Sequence, residues 1–467
     1  MKMKISQILG LTFVLALGTA QASTIAIVDS GNDFLHVDLA PKTWINPIEI
    51  ASNDRDEDRN GYPDDVNGWN FAESNNVLID YSYSWSDTAD VRRFFDIQLK
   101  SFLGTLTQAD REWANAKIKE EKFIREISVF GNWMHGTHVT GIAAQFSRDA
   151  RMVGIKLIPT EVKLPGQKDS AITLQTGNKV ERFEVRKDSV KDFLLKQALG
   201  ALAKQQSVLY GEIGTYIKGT KADVMNGSFG TSYAAISGLI GQLYQGVFRK
   251  PATPEELKKY TDHFFVVSLE EGKIFLKSAP NTLFVFAAGN DGTDNDVFPT
   301  SPTNVVGDNK ISVAATLGDQ AIASFSNYGV KNVEVAAPGV GIKSMSPQNK
   351  YVTISGTSQA APYVAGIAGA VKDTNPALDF RAIKRIILET VDVKSWLVGK
   401  VKTSGLVNAK RAVRAAELSR SMDLTRAIAQ SKLDVLAKSA NDKDRSAKLF
   451  QVPTEWISAL PSPIIVK

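Results

Sequence analysis

Five short runs along the chain are mostly β-branched or aliphatic: residues 24–28, 222–226, 283–288, 311–315 and 333–337. They lack strict alternation, as expected of strands buried on both faces of a sheet. Between them lie stretches with helical spacing at 139–144, 188–206 and 231–280, and two more follow at 359–372 and 380–391. Pro251 and Pro254 predict a helix opening at Glu255, and Pro338-Gly339 stops the last strand. Residues 72–130 are mixed and partly amphipathic, and read as a largely helical insertion. Strands alternating with helices predict an α/β fold, with a mainly parallel central sheet and helices on both faces.

The ends read differently. Residues 1–22 have the form of a secretory signal: Lys2 and Lys4, an apolar stretch at 8–17, then Ala20-Gln21-Ala22 as a small-x-small cleavage site. The apolar stretch is short for a membrane span, and no later segment is long enough. The reading is therefore an exported protein, periplasmic, cell-surface or extracellular, without stable membrane insertion once the signal is cut. Residues 418–467 lose the apolar strands and read as a C-terminal helical extension.

Composition narrows the chemistry. The chain of 467 residues contains no cysteine, which excludes thiol peptidases, thiolate zinc sites and iron–sulfur clusters. The net charge of +5 is spread along the chain, so no nucleic-acid partner is expected.

Three segments carry candidate chemistry. Ser358, in Gly356-Thr357-Ser358-Gln359-Ala360-Ala361-Pro362, stands where a Gly-bearing loop enters a helix. There the helix dipole favours developing negative charge. Pro362 is expected in the first turn, where a missing N–H costs nothing. His135, in His135-Gly136-Thr137-His138-Val139, supplies an imidazole able to shuttle a proton near neutral pH. A zinc site using His135 and His138 lacks the glutamate of an H-E-x-x-H motif, and His138 reads as a core histidine. Asp29, in Asp29-Ser30-Gly31 at a strand end, could orient the imidazole. A lipase or esterase of the α/β-hydrolase class would need a Gly-x-Ser-x-Gly elbow with its histidine after the serine. Ser358 lies in Gly-Thr-Ser-Gln-Ala, and no histidine follows it.

These segments, in the order Asp, His, Ser, resemble the subtilisin-like serine proteases (peptidase S8) across residues 23–417. The resemblance implies a secreted serine endopeptidase that hydrolyses peptide bonds through an acyl-enzyme, with Asp29, His135 and Ser358 as triad. It implies that Asn290, in Ala287-Ala288-Gly289-Asn290, stabilises the oxyanion. It implies that Ser228, Phe229 and Gly230, with Ala287, Ala288 and Gly289, form the substrate-binding edge and the pocket before the scissile bond. Phe229 among small residues favours an apolar or medium-sized side chain there, and Asp291 near the mouth could admit a basic one. Protein or peptide substrates are the expected partners. A catalytically silent exported peptide-binding protein using the same cleft is the alternative.

The chemistry itself requires no cofactor, but calcium is a candidate. Asp56, Asp58, Asn60, Asp64 and Asn67 fall where an EF-hand-like loop carries its oxygen ligands, with Gly61 at the turn; a solvated acidic loop is the alternative. Asp38 matches a calcium ligand of the family, but the stretch after the histidine helix, residues 145–150, lacks the Asn-rich loop that completes that site. Insertions are expected near 72–130, 160–220 and 231–280. The prodomain usual in the family is not evident, so residues 418–467 are expected either to pack on the domain as a substitute folding aid or to act as a segment removed late.

Overall fold

The structure, a computed structural model, describes residues 22–161 and 188–437. The leader up to residue 21, the middle of the second expected insertion (162–187) and residues 438–467 of the extension lie outside the described residues.

The chain opens with β1 (Thr24–Asp29) and, after the acidic loop, β2 (Gly68–Asn70). Three helices follow, α1 (Ala89–Leu103), α2 (Gln108–Lys117) and α3 (Glu121–Ala144), then β3 (Arg151–Lys156). Next come α4 (Asp188–Gly219), β4 (Val224–Gly227), α5 (Tyr233–Phe248), α6 (Pro254–Glu271) and α7 (Lys273–Ser278). The strands β5 (Leu283–Ala287), β6 (Lys310–Leu317), β7 (Ala321–Ile322), β8 (Val335–Pro338), β9 (Ile342–Ser346) and β10 (Lys350–Ile354) lead to α8 (Thr357–Thr374) and α9 (Phe380–Glu389). The described chain closes with β11 (Asp392–Val393), β12 (Gly405–Leu406), α10 (Ala409–Leu418) and α11 (Leu424–Asp434).

The central sheet runs β11-β12-β8-β6-β5-β4-β1-β3-β2. Its pairings are parallel except β11 with β12 and the short β7 on β6. Helices cover both faces, as the alternating pattern predicts. On one face Ile25, Ile27, Val224 and Val285 pack with residues of α3, α8, α9 and α10. On the other, Ala26, Val28, Met225 and Phe284 meet Tyr210, Ile213 and Phe275 of α4 and α7. The expected insertion at 231–280 is helical, and α5 and α6 share a separate core with α4. Thr253 caps α6 with a capping box around Pro254, one residue before the expected start.

Two features place the functional end. β1 has β3 on one side and β4 on the other, so the chain winds outward in both directions from here. Such a switch point opens a crevice at the carboxyl ends of the strands. The second feature lies where the first expected insertion meets the histidine segment. The histidine segment and the end of that insertion are one 24-residue helix, α3. It lies directly on the turn after β1, since a Cβ on Gly136 would fall 2.0 Å from the carbonyl oxygen of Gly31. Only glycine lets the helix settle there, and this closeness brings His135 over Asp29. In the expected extension, Ile428 of α11 joins the main core. Arg411 bridges Asp392 at 3.0 Å and donates to the carbonyl of Val435 at 3.0 Å.

Candidate active site

Asp29 is fully buried at the end of β1. Its Oδ1 accepts from the backbone N–H of Ser30 at 2.7 Å and lies 2.7 Å from Nδ1 of His135. A carboxylate in this position holds Nδ1 protonated and leaves Nε2 as the acceptor. Ser30 ties the same turn to α3: its hydroxyl donates to the carbonyl of Asn132 and accepts from the N–H of Gly136. His138, three residues on, is fully buried and faces the carbonyls of Ile342 and Val352, each 3.2 Å from Nε2. Burial, reinforced by nearby His135, pulls it down to about 3, so it stays neutral. It is a core histidine, as the sequence suggests.

Ser358 is the second residue of α8, with its N–H at the positive end of the helix. Its hydroxyl donates to the carbonyl of Ser228 at 3.2 Å. In return the Ser228 hydroxyl donates to the Ser358 carbonyl at 2.9 Å, and Asn226 donates to the Ser228 hydroxyl at 3.0 Å. This changes the expected part played by Pro362. It is the sixth residue of α8, beyond the first turn, where an N–H would ordinarily bond the carbonyl four residues back. That carbonyl belongs to Ser358, and Ser228 satisfies it instead.

Asn290 follows β5. Its Oδ1 accepts from both the backbone N–H and the hydroxyl of Thr357, at 2.9 and 2.8 Å. A backbone N–H can only donate, so the amide oxygen must face Thr357 and the NH2 group points elsewhere. A Cβ placed on Gly356 would stand 3.4 Å from Nδ2 of Asn290 and 3.7 Å from the nitrogen of Ser358. The two donors thus flank one small space that a glycine leaves open. His135, Asn290 and Ser358 all line one cavity of about 970 Å³.

Ser228 and Gly230 follow β4 and are buried, as are Ala287, Ala288 and Gly289 at the end of β5. Phe229 does not line a cleft as expected. It is fully buried in the core beneath the sheet, with ring centroids 6.2 Å from Tyr210 and 6.4 Å from Phe286. A large ring next to an aromatic cluster gains more by joining it than by facing water, which removes the argument for an apolar pocket that rested on Phe229. Burial raises the Asp291 carboxyl, against hydrogen bonds from Ser232 and Asn327.

The acidic loop forms a different cluster from the one its spacing predicts. Oxygens of Glu49, Asp58 and Asp65 lie within 4.8 Å of one another. Asp64 instead accepts from the backbone N–H groups of Asn53 and Asp54, and Asp56 from those of Asn60 and Gly61. The Asn67 amide donates to the Trp44 carbonyl, while Asn60 donates to Asp58 and Asp65. Burial pushes the Asp65 carboxyl up to about 6; hydrogen bonds from Asn46 and Asn60 oppose this, and the charge of Asp58 adds to it. Three converging carboxylates, one of them buried, suit a hard cation such as calcium. Asp38 lies elsewhere and accepts from the hydroxyl of Tyr351. Beside it, the Lys42 ammonium donates to the carbonyls of Ala144 and Ser147 at the end of α3. A cation of the chain itself serves those carbonyls.

Sequence reasoning missed Thr357, Glu49 and the hydrogen bond from Asn226 to Ser228. Thr357 sits inside the serine motif, and that was its only signal. Asn226 lies in the strand beside Ser228. Glu49 precedes the acidic loop and carries no local signature.

Residues 20–414 match the model of the family described as the subtilase family, peptidase S8. The alkaline elastase YaB of a Bacillus species is 37% identical over 139 residues, covering 29% of this chain and 34% of that protein. Subtilisin-like protease 2 of Plasmodium falciparum is 28% identical over 289 residues, covering 60% of this chain and 17% of that protein. The matched part is thus at most about a third of either relative's length. Among solved structures, a lanthipeptide protease gives a TM-score of 0.47 at 14% identity, over 84% of this chain and 88% of that one.

Proposed function

The chain belongs to the subtilase family of serine peptidases, and from that premise we propose that it is an exported endopeptidase acting through an acyl-enzyme on Ser358. The observation that carries this reading is the 2.7 Å contact between Asp29 and His135, in one site with Ser358 and Asn290.

The residues divide the work as follows. The Ser358 hydroxyl leaves the Ser228 carbonyl and turns toward Nε2 of His135. It attacks the peptide carbonyl as His135 takes its proton. Asp29 stabilises the imidazolium that forms. The developing oxyanion settles between the Asn290 amide and the N–H of Ser358, where fixed donors need no reorganisation. His135 then gives the proton to the leaving amine, and a water activated by the same imidazole releases the acyl group. β4 is paired on both sides through Gly227, so the edge for an extended peptide would be the stretch beyond it, residues 228–230.

Export rests on the leader at 1–22. No helix among the described residues is long and apolar enough to cross a membrane. Glu49, Asp58 and Asp65 would hold a structural calcium ion, which takes no part in the chemistry.

The deciding experiment is labelling of the secreted protein with a fluorophosphonate, beside Ser358→Ala, with casein hydrolysis in parallel. Labelling and hydrolysis lost together in the variant support the reading. A folded wild type that neither labels nor cleaves would favour the silent peptide-binding alternative.

A further inference from the structure

We propose that the inserted helices build a subsite for the leaving side of the substrate, which selects a bulky apolar residue in the first positions after the scissile bond. This rests on the peptidase reading above.

The cavity that holds His135, Ser358 and Asn290 has about 970 Å³, near the top of the range of roughly 300–1,000 Å³ usual for ligand pockets. Much of its wall comes from outside the catalytic segments. Phe95 reaches it from α1, Ile118 from the turn after α2, Ile124 and Ile127 from α3, and Ile354 from the end of β10. No residue of 226–230 or 287–289 lines it among the described residues, so it is distinct from the inferred acyl-side edge.

Its position relative to His135 assigns the direction. The imidazole protonates the departing amine, so residues after the scissile bond leave past it. α1 runs along this side. Arg92 donates to the Tyr351 carbonyl of β10 at 3.1 Å, and Phe102 packs on Phe325 with centroids 5.0 Å apart. β10 leads directly into the Ser358 loop.

The lining chemistry indicates the occupant. The charged residues at the cavity are Lys119, Glu121, Arg125 and Glu161, whose charges cancel, and Arg125 pairs with Glu161 at 2.9 Å. No net charge remains to draw an acidic or basic side chain, whereas one phenylalanine and four isoleucines offer an apolar wall. Gln359 provides the polar contact. It is 1% exposed and lines the cavity, yet its Nε2 has no hydrogen-bond partner among the described residues. Its Oε1 lies 2.8 Å from where a Cβ on Gly356 would stand, beside the oxyanion donors. A buried amide without a partner is unfavourable until one arrives. A main-chain carbonyl of an extended peptide supplies the acceptor that this NH2 group lacks.

The test uses a peptide library with the acyl side held constant and the two residues after the scissile bond varied. The wild type, Ile124→Asp and Gln359→Met are compared, each labelled with a fluorophosphonate. Ile124 is 42% exposed, so the fold tolerates the change. The wild type is expected to prefer Phe, Leu or Ile over Asp by roughly tenfold or more in kcat/KM. Ile124→Asp is expected to lower that ratio by a similar factor. The ratio is read within one preparation, so partial misfolding cancels. Gln359→Met is expected to slow peptides more than an acyl p-nitroanilide, which has no residues after the bond. A flat profile, or an unchanged ratio in Ile124→Asp, from enzyme that labels would overturn the subsite and leave the peptidase reading standing. A wild type that neither labels nor cleaves would remove both.

Discussion

Ser228 and Ser358 exchange two hydrogen bonds across 130 residues of chain: each hydroxyl donates to the other's carbonyl, at 2.9 and 3.2 Å. The first satisfies the carbonyl that Pro362 leaves without a helical donor. The second holds the nucleophile at rest.

Ser228→Ala therefore leaves the Ser358 carbonyl buried and unpaired, a loss of about 1–3 kcal/mol. The expected outcome is a folding stability lowered by that amount, read from urea unfolding. Adding Pro362→Ala restores an N–H four residues on and should recover part of the loss. A double-mutant cycle on the unfolding free energy with no coupling would refute the arrangement.

Thr357 fixes which end of the Asn290 amide faces the substrate. Asn290→Ala should lower kcat by about 10²–10³, a range drawn from subtilisin itself, with KM little changed. Thr357→Val removes one of two contacts to Oδ1 but keeps the backbone donor. Its kcat should fall less than that of Asn290→Ala, as steady-state kinetics on one peptide would reveal.

The acidic loop should respond to calcium in a pH-dependent way. Burial raises the folded Asp65 carboxyl to about 6, above an unfolded value of about 3.9. The folded state then binds more protons, so this group's contribution to stability falls as pH rises from about 4 through 6. A bound calcium ion removes that penalty. Calcium should raise the unfolding midpoint most above pH 6, and the gain should fade as pH drops toward 4. Thermal scans with calcium and with EDTA that coincide at pH 7 would mean that the loop binds none.

His138 gives the opposite slope. Its folded value of about 3 lies below an unfolded value of about 6.5. Stability from this group is present above that unfolded value and is lost as pH falls toward 3. His138→Gln, whose amide can still donate to the carbonyls of Ile342 and Val352, should flatten the acid limb of a urea-midpoint profile. An unchanged limb would assign the acid sensitivity to other groups.

Lys42 serves the last carbonyls of α3 with its own charge. Burial lowers its pKa, and Arg151 adds to this; Asp149 and Asp373 oppose it. Lys42→Met keeps the stem but removes the donors, at a cost of about 1–3 kcal/mol for a charged hydrogen bond. Urea unfolding should register the loss, and excess calcium should not restore it. Recovery with calcium would mean that the site accepts the metal after all.

How much of this was legible in the sequence depended on whether a feature was local. The runs at 24–28, 283–288 and 311–315 are strands because an apolar, β-branched pattern buried on both faces is written in consecutive residues. β3 carried a weaker signal, since Arg151 and Lys156 bound it and Gly154 interrupts it. Its place beside β1 comes from pairing with partners far along the chain.

The candidate site divides in the same way. The order of Asp29, His135 and Ser358, and the residue types around them, are properties of the sequence alone, because the chemistry needs those side chains whatever surrounds them. The direction of Phe229, the carbonyl that Pro362 frees, the turn of the Asn290 amide and the grouping of Glu49 with Asp58 and Asp65 were decided only by the tertiary structure. Each depends on which distant group arrives within hydrogen-bonding or packing distance, and residue spacing along a chain does not encode that distance.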